Sequence, residues 1–160
     1  MTSGGVLIES PEAMHRLGSR IATLLRPGDL VVLDGPLGAG KTTFARGVGQ
    51  GLGVRGDVSS PTFVIARRHR PGSGAAALLH IDAYRVTPQE LEDMELDLEA
   101  ADAVALVEWG AGKVDDWAAD RLVIEIALDH GDIAAPRTVT FAGIGPRWQD
   151  EQLDAMVAAG

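Results

Sequence analysis

Gly35-Pro36-Leu37-Gly38-Ala39-Gly40-Lys41-Thr42 is the stretch on which the fold of this chain turns. It matches G-x-x-x-x-G-K-[ST] at every fixed position, the pattern of a phosphate-binding P-loop. Glycines allow the backbone to turn its N–H groups inward around an anion. A helix N-terminus behind them adds partial positive charge. Lys41 can then reach the β- and γ-phosphates of a nucleotide, and the Thr42 hydroxyl can coordinate Mg²⁺. The chain has only two lysines, and one is here. The flanks suit the motif. Leu30-Val31-Val32-Leu33 is an all-apolar run, as expected of a central parallel strand. The spacing predicts a helix from Lys41 to about Leu52, with Phe44, Val48 and Leu52 on one face and Gly51 and Gly53 at its end.

Further out, Val6-Leu7-Ile8 reads as a short strand. Ser10 caps a helix whose first residue is Pro11, and Met14, Leu17, Ile21, Leu24 and Leu25 give it a buried face. Thr62 to Arg68 is a predicted strand, Arg70 to Gly74 a flexible turn, and Ala76 to Ile81 another apolar strand. Thr87-Pro88-Gln89-Glu90 is a capping box that opens a short helix through Leu91 and Met94. Val104 to Val107 is a further apolar strand. Leu122, Ile124, Ile126 and Leu128 alternate as in a strand with one buried face, and Thr138 to Phe141 is placed to pair with it in a hairpin. Trp148 to Val157 reads as a last amphipathic helix. The expected fold is a three-layer α/β P-loop domain spanning residues 1–160, its mixed, mostly parallel sheet flanked by helices and ending in an antiparallel hairpin.

At 160 residues, 46% of them apolar and only three of them Trp, the chain can fill one core with Ala, Val, Leu and Ile. The absence of cysteine excludes disulfides and thiolate metal sites. No window is apolar enough for a membrane span, and the first residues lack a signal-peptide pattern, so a cytoplasmic location is expected. A net charge of −9 disfavours general nucleic-acid binding. The local exception is Arg67-Arg68-His69-Arg70, read first as a solvated strand end or loop.

A P-loop enzyme also needs acid near its metal, and two apolar strands end in one. Leu78-Leu79-His80-Ile81-Asp82 and Val104-Ala105-Leu106-Val107-Glu108 both resemble a Walker B strand. Carboxylates at such ends face the crevice where open α/β sheets bind ligands. Either Asp82 or Glu108 can hold Mg²⁺ directly or through water, or orient an attacking water. Spacing does not decide between them. Thr62, in Ser59-Ser60-Pro61-Thr62-Phe63, occupies the position of a switch loop, where a hydroxyl senses the γ-phosphate. Trp109 either stacks on a base or fills a hydrophobic edge. His80 is given no chemical role.

Taken in order, Gly38-Ala39-Gly40-Lys41-Thr42-Thr43-Phe44, Ser60-Pro61-Thr62-Phe63, His80-x-Asp82-x-Tyr84-Arg85 and Val107-Glu108-Trp109 resemble the TsaE family, bacterial ATPases of tRNA threonylcarbamoyladenosine biosynthesis. The resemblance implies an ATP site in which the backbone of Gly38 to Thr43 cradles the phosphates. It implies Thr42 and Glu108 as metal contacts, Asp82 in the metal's outer shell, and Thr62 as a switch residue. Arg137 resembles a family arginine near the nucleotide. A partner is also implied: the two-protein threonylcarbamoyl-transferase complex (TsaB and TsaD type), which would hold most of the tRNA and be reset by ATP hydrolysis between cycles. Arg67, Arg68 and Arg70 would then be candidates to touch tRNA or an acidic partner surface. The chain departs from the family in two places. Gly110 follows Glu108-Trp109 where Pro is common, and Leu91 to Leu98 is unusually acidic and lacks the usual glycine after Met94.

Three other classes compete. A small-molecule P-loop kinase needs the same cradle but also an arginine-bearing lid, for which the basic run is poorly placed. A regulatory GTPase needs Asn-Lys-x-Asp, and the chain contains no asparagine. A non-hydrolysing nucleotide-dependent binding module would have little use for Lys41, Thr42 and two strand-end acids together.

Overall fold

A computed structural model of the protein describes residues 2–59, 65–74, 76–129, 134–148 and 153. In chain order the elements are β1 (Thr2–Ile8), α1 (Pro11–Ala22), β2 (Leu30–Asp34), α2 (Lys41–Leu52), β3 (Ala66–His69), β4 (Leu78–Asp82), α3 (Pro88–Asp93), α4 (Leu96–Ala100), β5 (Val104–Glu108), β6 (Arg121–Leu128) and β7 (Arg137–Ile144). The strands form one seven-stranded sheet in the order β1-β7-β6-β2-β5-β4-β3.

The four central strands, β6, β2, β5 and β4, run parallel. Both edges are antiparallel: β7 and β1 beyond β6, and β3 beyond β4. The expected hairpin is β6–β7, and β1 extends that antiparallel part by one more strand. Burial explains the two sequence textures. All of Leu30–Leu33 and all of β5 are buried, because helices cover both faces there. In β6 only Leu122, Ile124 and Ile126 are fully buried, because one face of the β6–β7–β1 part is open.

One core lies between the sheet and α1 and α2, built on Val31, Leu33, Leu106, Ile124, Met14, Phe44 and Val48. The second lies under α3 and α4, with Val32, Leu79, Ile81, Val107, Leu91 and Leu96. The three layers follow from this. Helix α1 starts as expected, with Ser10 accepting from the Ala13 N–H at 3.1 Å. Helix α3 carries the full Thr87–Glu90 capping box.

Several details differ from the sequence reading: β1 begins at Thr2 rather than Val6, and β7 runs Arg137–Ile144 rather than Thr138 to Phe141. The strand expected at Thr62 begins at Ala66, and residues 60–64, including Thr62, lie outside the described residues. The strand expected from Ala76 runs Leu78–Asp82, so Asp82 belongs to the strand itself. The turn expected to be flexible is tied to the end of α2: Gly72 N–H donates to Gly53 O at 2.9 Å and Arg55 N–H to Arg70 O at 2.9 Å. The last expected helix falls mostly outside the described residues. Of it, Trp148 lies in a bend and is buried, and Leu153 is helical and buried. Among the described residues no helix is long and apolar enough to cross a membrane.

Candidate functional site

Strand β2 ends at Asp34 and the chain turns at once into Gly35–Gly40. Gly38 (φ +79°) and Gly40 (φ +108°) take backbone conformations that side chains disfavour, so these two glycines are there for the turn. Helix α2 then begins with no side-chain cap and no acid in its first turn, although α1 and α3 are both capped by side chains. Uncapped N–H groups at a helix start lack a partner, and an anion supplies one.

Lys41 is buried at this start. Its Nζ donates to the carbonyls of Gly35 (2.6 Å) and Pro36 (2.9 Å) and lies 4.3 Å from the centre of the Trp109 ring. Burial lowers the Lys41 pKa, and Glu108, Asp82 and Asp34 oppose that shift in this order. The lysine therefore sits among three carboxylates at the C-terminal ends of β4, β5 and β2. Asp82 and Glu108 are direct partners across the parallel β4–β5 pair. Both lie on the sheet face that packs against α2, as alternation from Leu78 and Leu106 requires.

The two acids differ in setting. Glu108 is only 3% exposed. One of its oxygens lies 2.6 Å from His80 Nε2. Asp82 is half-buried and accepts from the Tyr84 N–H at 3.0 Å, which fixes its rotamer. Thr42 is half-buried in the first turn of α2. Among the described residues no cluster of three or more His, Cys, Asp or Glu side chains is placed to hold a metal ion. The donors present are oxygens, two strand-end carboxylates and a hydroxyl. That set suits Mg²⁺, which takes one or two carboxylates and completes its shell with phosphate and water.

Arg137, at the start of β7, braces the loop. Its guanidinium donates to Gly38 O (3.1 Å), Ala39 O (3.3 Å) and Ala135 O (2.7 Å). With those carbonyls held outward, the loop's amides are left for a ligand. Beside Arg137 is a cavity of about 340 Å³ lined by Glu9, Ser10, Met14, Thr43 and Ala134 among others. At the opposite end of the loop a wider cleft of about 720 Å³ is lined by Asp34, Leu37, Tyr84, Trp109 and Glu125.

The structure thus brings together Gly38, Ala39, Gly40, Lys41, Thr42, Thr43, Asp82, Glu108 and Arg137; Thr62 lies outside the described residues. Three features were not legible beforehand. His80 is bonded to Glu108. Asp34 faces Glu125 across β2–β6, and burial, then that neighbour's charge, raises its pKa against an opposing Ala111 backbone hydrogen bond and Lys41. Trp109 adopts a left-handed backbone conformation (φ +60°) and packs on Tyr84 with ring centres 4.8 Å apart. The basic run forms most of the edge strand β3, with Arg70 just beyond its end. Arg67, Arg68 and Arg70 are exposed, His69 points inward, and Arg68 pairs with Asp102 at 3.1 Å.

A family profile described as "Threonylcarbamoyl adenosine biosynthesis protein TsaE" matches residues 8–138. A "tRNA threonylcarbamoyladenosine biosynthesis protein TsaE" of Streptomyces coelicolor is 52% identical over 150 residues, covering 92% of this chain and all of that protein. A protein of the same description from Mycobacterium leprae is 44% identical over 134 residues, covering 79% of this chain and 83% of that one. The crystal structure of Bacillus subtilis YdiB superposes with a TM-score of 0.77 at 29% identity, over 99% of this chain and 96% of that one.

Proposed function

The chain belongs to the TsaE family of tRNA threonylcarbamoyladenosine biosynthesis proteins, and we propose that within this pathway it is a single-domain, Mg²⁺-dependent ATPase acting on a two-protein threonylcarbamoyl-transferase complex of the TsaB and TsaD type. The observation that carries the ATPase reading is the uncapped start of α2, with Lys41 held there among Asp34, Asp82 and Glu108.

In this reading the amides of Gly38 to Thr43 cradle the phosphates. Thr43 and Arg137 mark the cavity that takes the nucleoside end. Lys41 leaves the Gly35 and Pro36 carbonyls for the β- and γ-phosphates, exchanging neutral acceptors for charged ones. Thr42 and Glu108 would hold Mg²⁺ directly, and Asp82, fixed by the Tyr84 amide, would order water around it. When bound, Mg²⁺ neutralises charge on the phosphate oxygens. Water attacks the γ-phosphorus, the bond to the β–γ bridging oxygen breaks, and ADP, phosphate and a proton leave. Thr62 reports whether the γ-phosphate is present. The protein meets tRNA mainly through its partner complex, whose cycle the hydrolysis resets.

The edge-strand position of the arginine run speaks against the kinase alternative, because Arg68 is already engaged with Asp102 and Glu99 O. The test is ATP turnover by the purified protein alone and with the two partners, with Lys41→Ala as the blank. Slow turnover that rises on adding the partners and vanishes in the blank is the expected result. Nucleotide binding without any partner effect refutes the accessory role.

A further inference from the structure

His80 is fully buried in the middle of β4, on the same sheet face as Asp82 and Glu108. It pairs in register with Leu106 and so stands one diagonal step below Glu108 on the neighbouring strand. Its Nε2 lies 2.6 Å from Glu108 Oε2. An ionised carboxylate only accepts hydrogen bonds, so a Glu108 able to hold a cation requires the hydrogen on Nε2. Nδ1 has no hydrogen-bond partner among the described residues. With hydrogen on Nε2 alone, only a lone pair is orphaned there, which costs less than a buried N–H without an acceptor. The tautomer is assigned from this bonding pattern.

The bond acts against a competing one. Glu108 is the carboxylate with the largest charge effect on Lys41. A free glutamate in that low-dielectric setting would swing to the ammonium and close a lysine–glutamate ion pair. Such a pair would occupy the group meant for phosphate and the group meant for metal together. In the structure it is not made: Lys41 is bonded to Gly35 and Pro36 carbonyls, and Glu108 to His80.

We propose that His80 is a positioning residue: its Nε2–H holds Glu108 away from Lys41 and leaves the other carboxylate oxygen available for Mg²⁺. This rests on the ATPase reading above. Groups behind a metal ligand typically contribute about 10- to 100-fold in metal affinity or activity.

The experiment compares wild type, His80→Leu, which lacks a donor, and His80→Gln, which keeps one at similar reach. ATP binding is measured by calorimetry in EDTA and then across a Mg²⁺ titration, with unfolding midpoints recorded alongside. The expected result is that His80→Leu binds metal-free ATP within about twofold of wild type but loses about 10-fold or more of the Mg²⁺-dependent gain, with half-saturating Mg²⁺ raised to match. His80→Gln recovers most of that gain. If His80→Leu lowers only the unfolding midpoint and keeps the Mg²⁺ gain, His80 is merely structural and the proposal fails. If His80→Leu and His80→Gln lose the gain equally, the donor is not what matters and the proposal fails as well. Should His80→Leu not fold, His80→Asn, whose shorter side chain cannot span the gap, takes its place in the same comparison. A wild type that shows no Mg²⁺ gain at all refutes the ATPase reading instead.

Discussion

Gly47→Ala tests the packing that carries the phosphate loop. Helices α1 and α2 meet through glycines. A Cβ on Gly47 would lie 2.1 Å from the backbone oxygen of His15, one on Gly18 2.3 Å from Phe44 O, and one on Gly51 2.6 Å from Ser19 O. Ser19 Oγ also donates to Gly47 O at 3.0 Å across this contact. Two effects oppose each other in the substitution. Alanine is the better helix former by about 1 kcal/mol. The methyl, however, needs about 1 Å more room against backbone, which no rotamer change supplies, and overpacking of this kind costs about 1–3 kcal/mol. The helices must move apart, and the sum is a net loss of up to about 2 kcal/mol, or up to roughly 4–8 °C in Tm for a domain of this size. Because α1 and its cap supply Met14 and Ser10, and α2 supplies Thr43, to one cavity beside the loop, ATP affinity falls with stability. Urea unfolding at constant m-value, with calorimetric ATP binding, reads both. Gly49→Ala is the control: its Cβ would meet the Val58 side chain, which can turn away, so its loss is smaller. A Gly47→Ala protein more stable than wild type by about 1 kcal/mol would mean that propensity alone operates, and the close approach of the helices would be refuted.

Three further outcomes are expected. Glu95 has φ +58° at the start of α4, a conformation that costs an L-residue about 1 kcal/mol; Glu95→Gly should stabilise by about 0.5 kcal/mol in urea unfolding after glycine's own entropy cost, whereas Glu95→Ala, which keeps the strain, should not. Arg137→Ala removes the brace on the Gly38 and Ala39 carbonyls and should weaken ATP binding about 10-fold by calorimetry, with little change in the unfolding midpoint. Burial first, and the Arg67 charge beside it, lower the His69 pKa from 6.5 against an opposing Arg55 backbone hydrogen bond. The fold therefore favours neutral His69, so its contribution is whole above pH 6.5 and is lost as pH falls below that value toward the folded pKa. Unfolding free energies at descending pH should fall less steeply in His69→Gln than in wild type, and equal slopes would contradict this.

The backbone of the glycine loop and the helix after it were legible in the sequence, because their requirements are local. Glycine at Gly38 and Gly40, a lysine at the helix start and an apolar strand ahead of them are short-range requirements, and α2 runs over the expected Lys41–Leu52. The caps at Ser10 and Thr87 were legible for the same reason, as was the one-sided burial of β6. The missing glycine after Met94 also had a local meaning, since Glu95 takes the left-handed turn that glycine makes most easily. Strand-end acids could be nominated but not ranked, because sequence gives no pairing register. Only the β4–β5 register sets Asp82 beside Glu108 and sends His80 diagonally under it. Arg137 lies about a hundred positions from Gly38 in the chain and reaches it only because β7 folds back along β6. The sequence determined by itself which backbone could wrap a phosphate, since that depends on conformations open to neighbouring residues. Tertiary structure alone decided which distant side chains brace that loop and which acid is held apart from the lysine, since those depend on how strands align and what they bury.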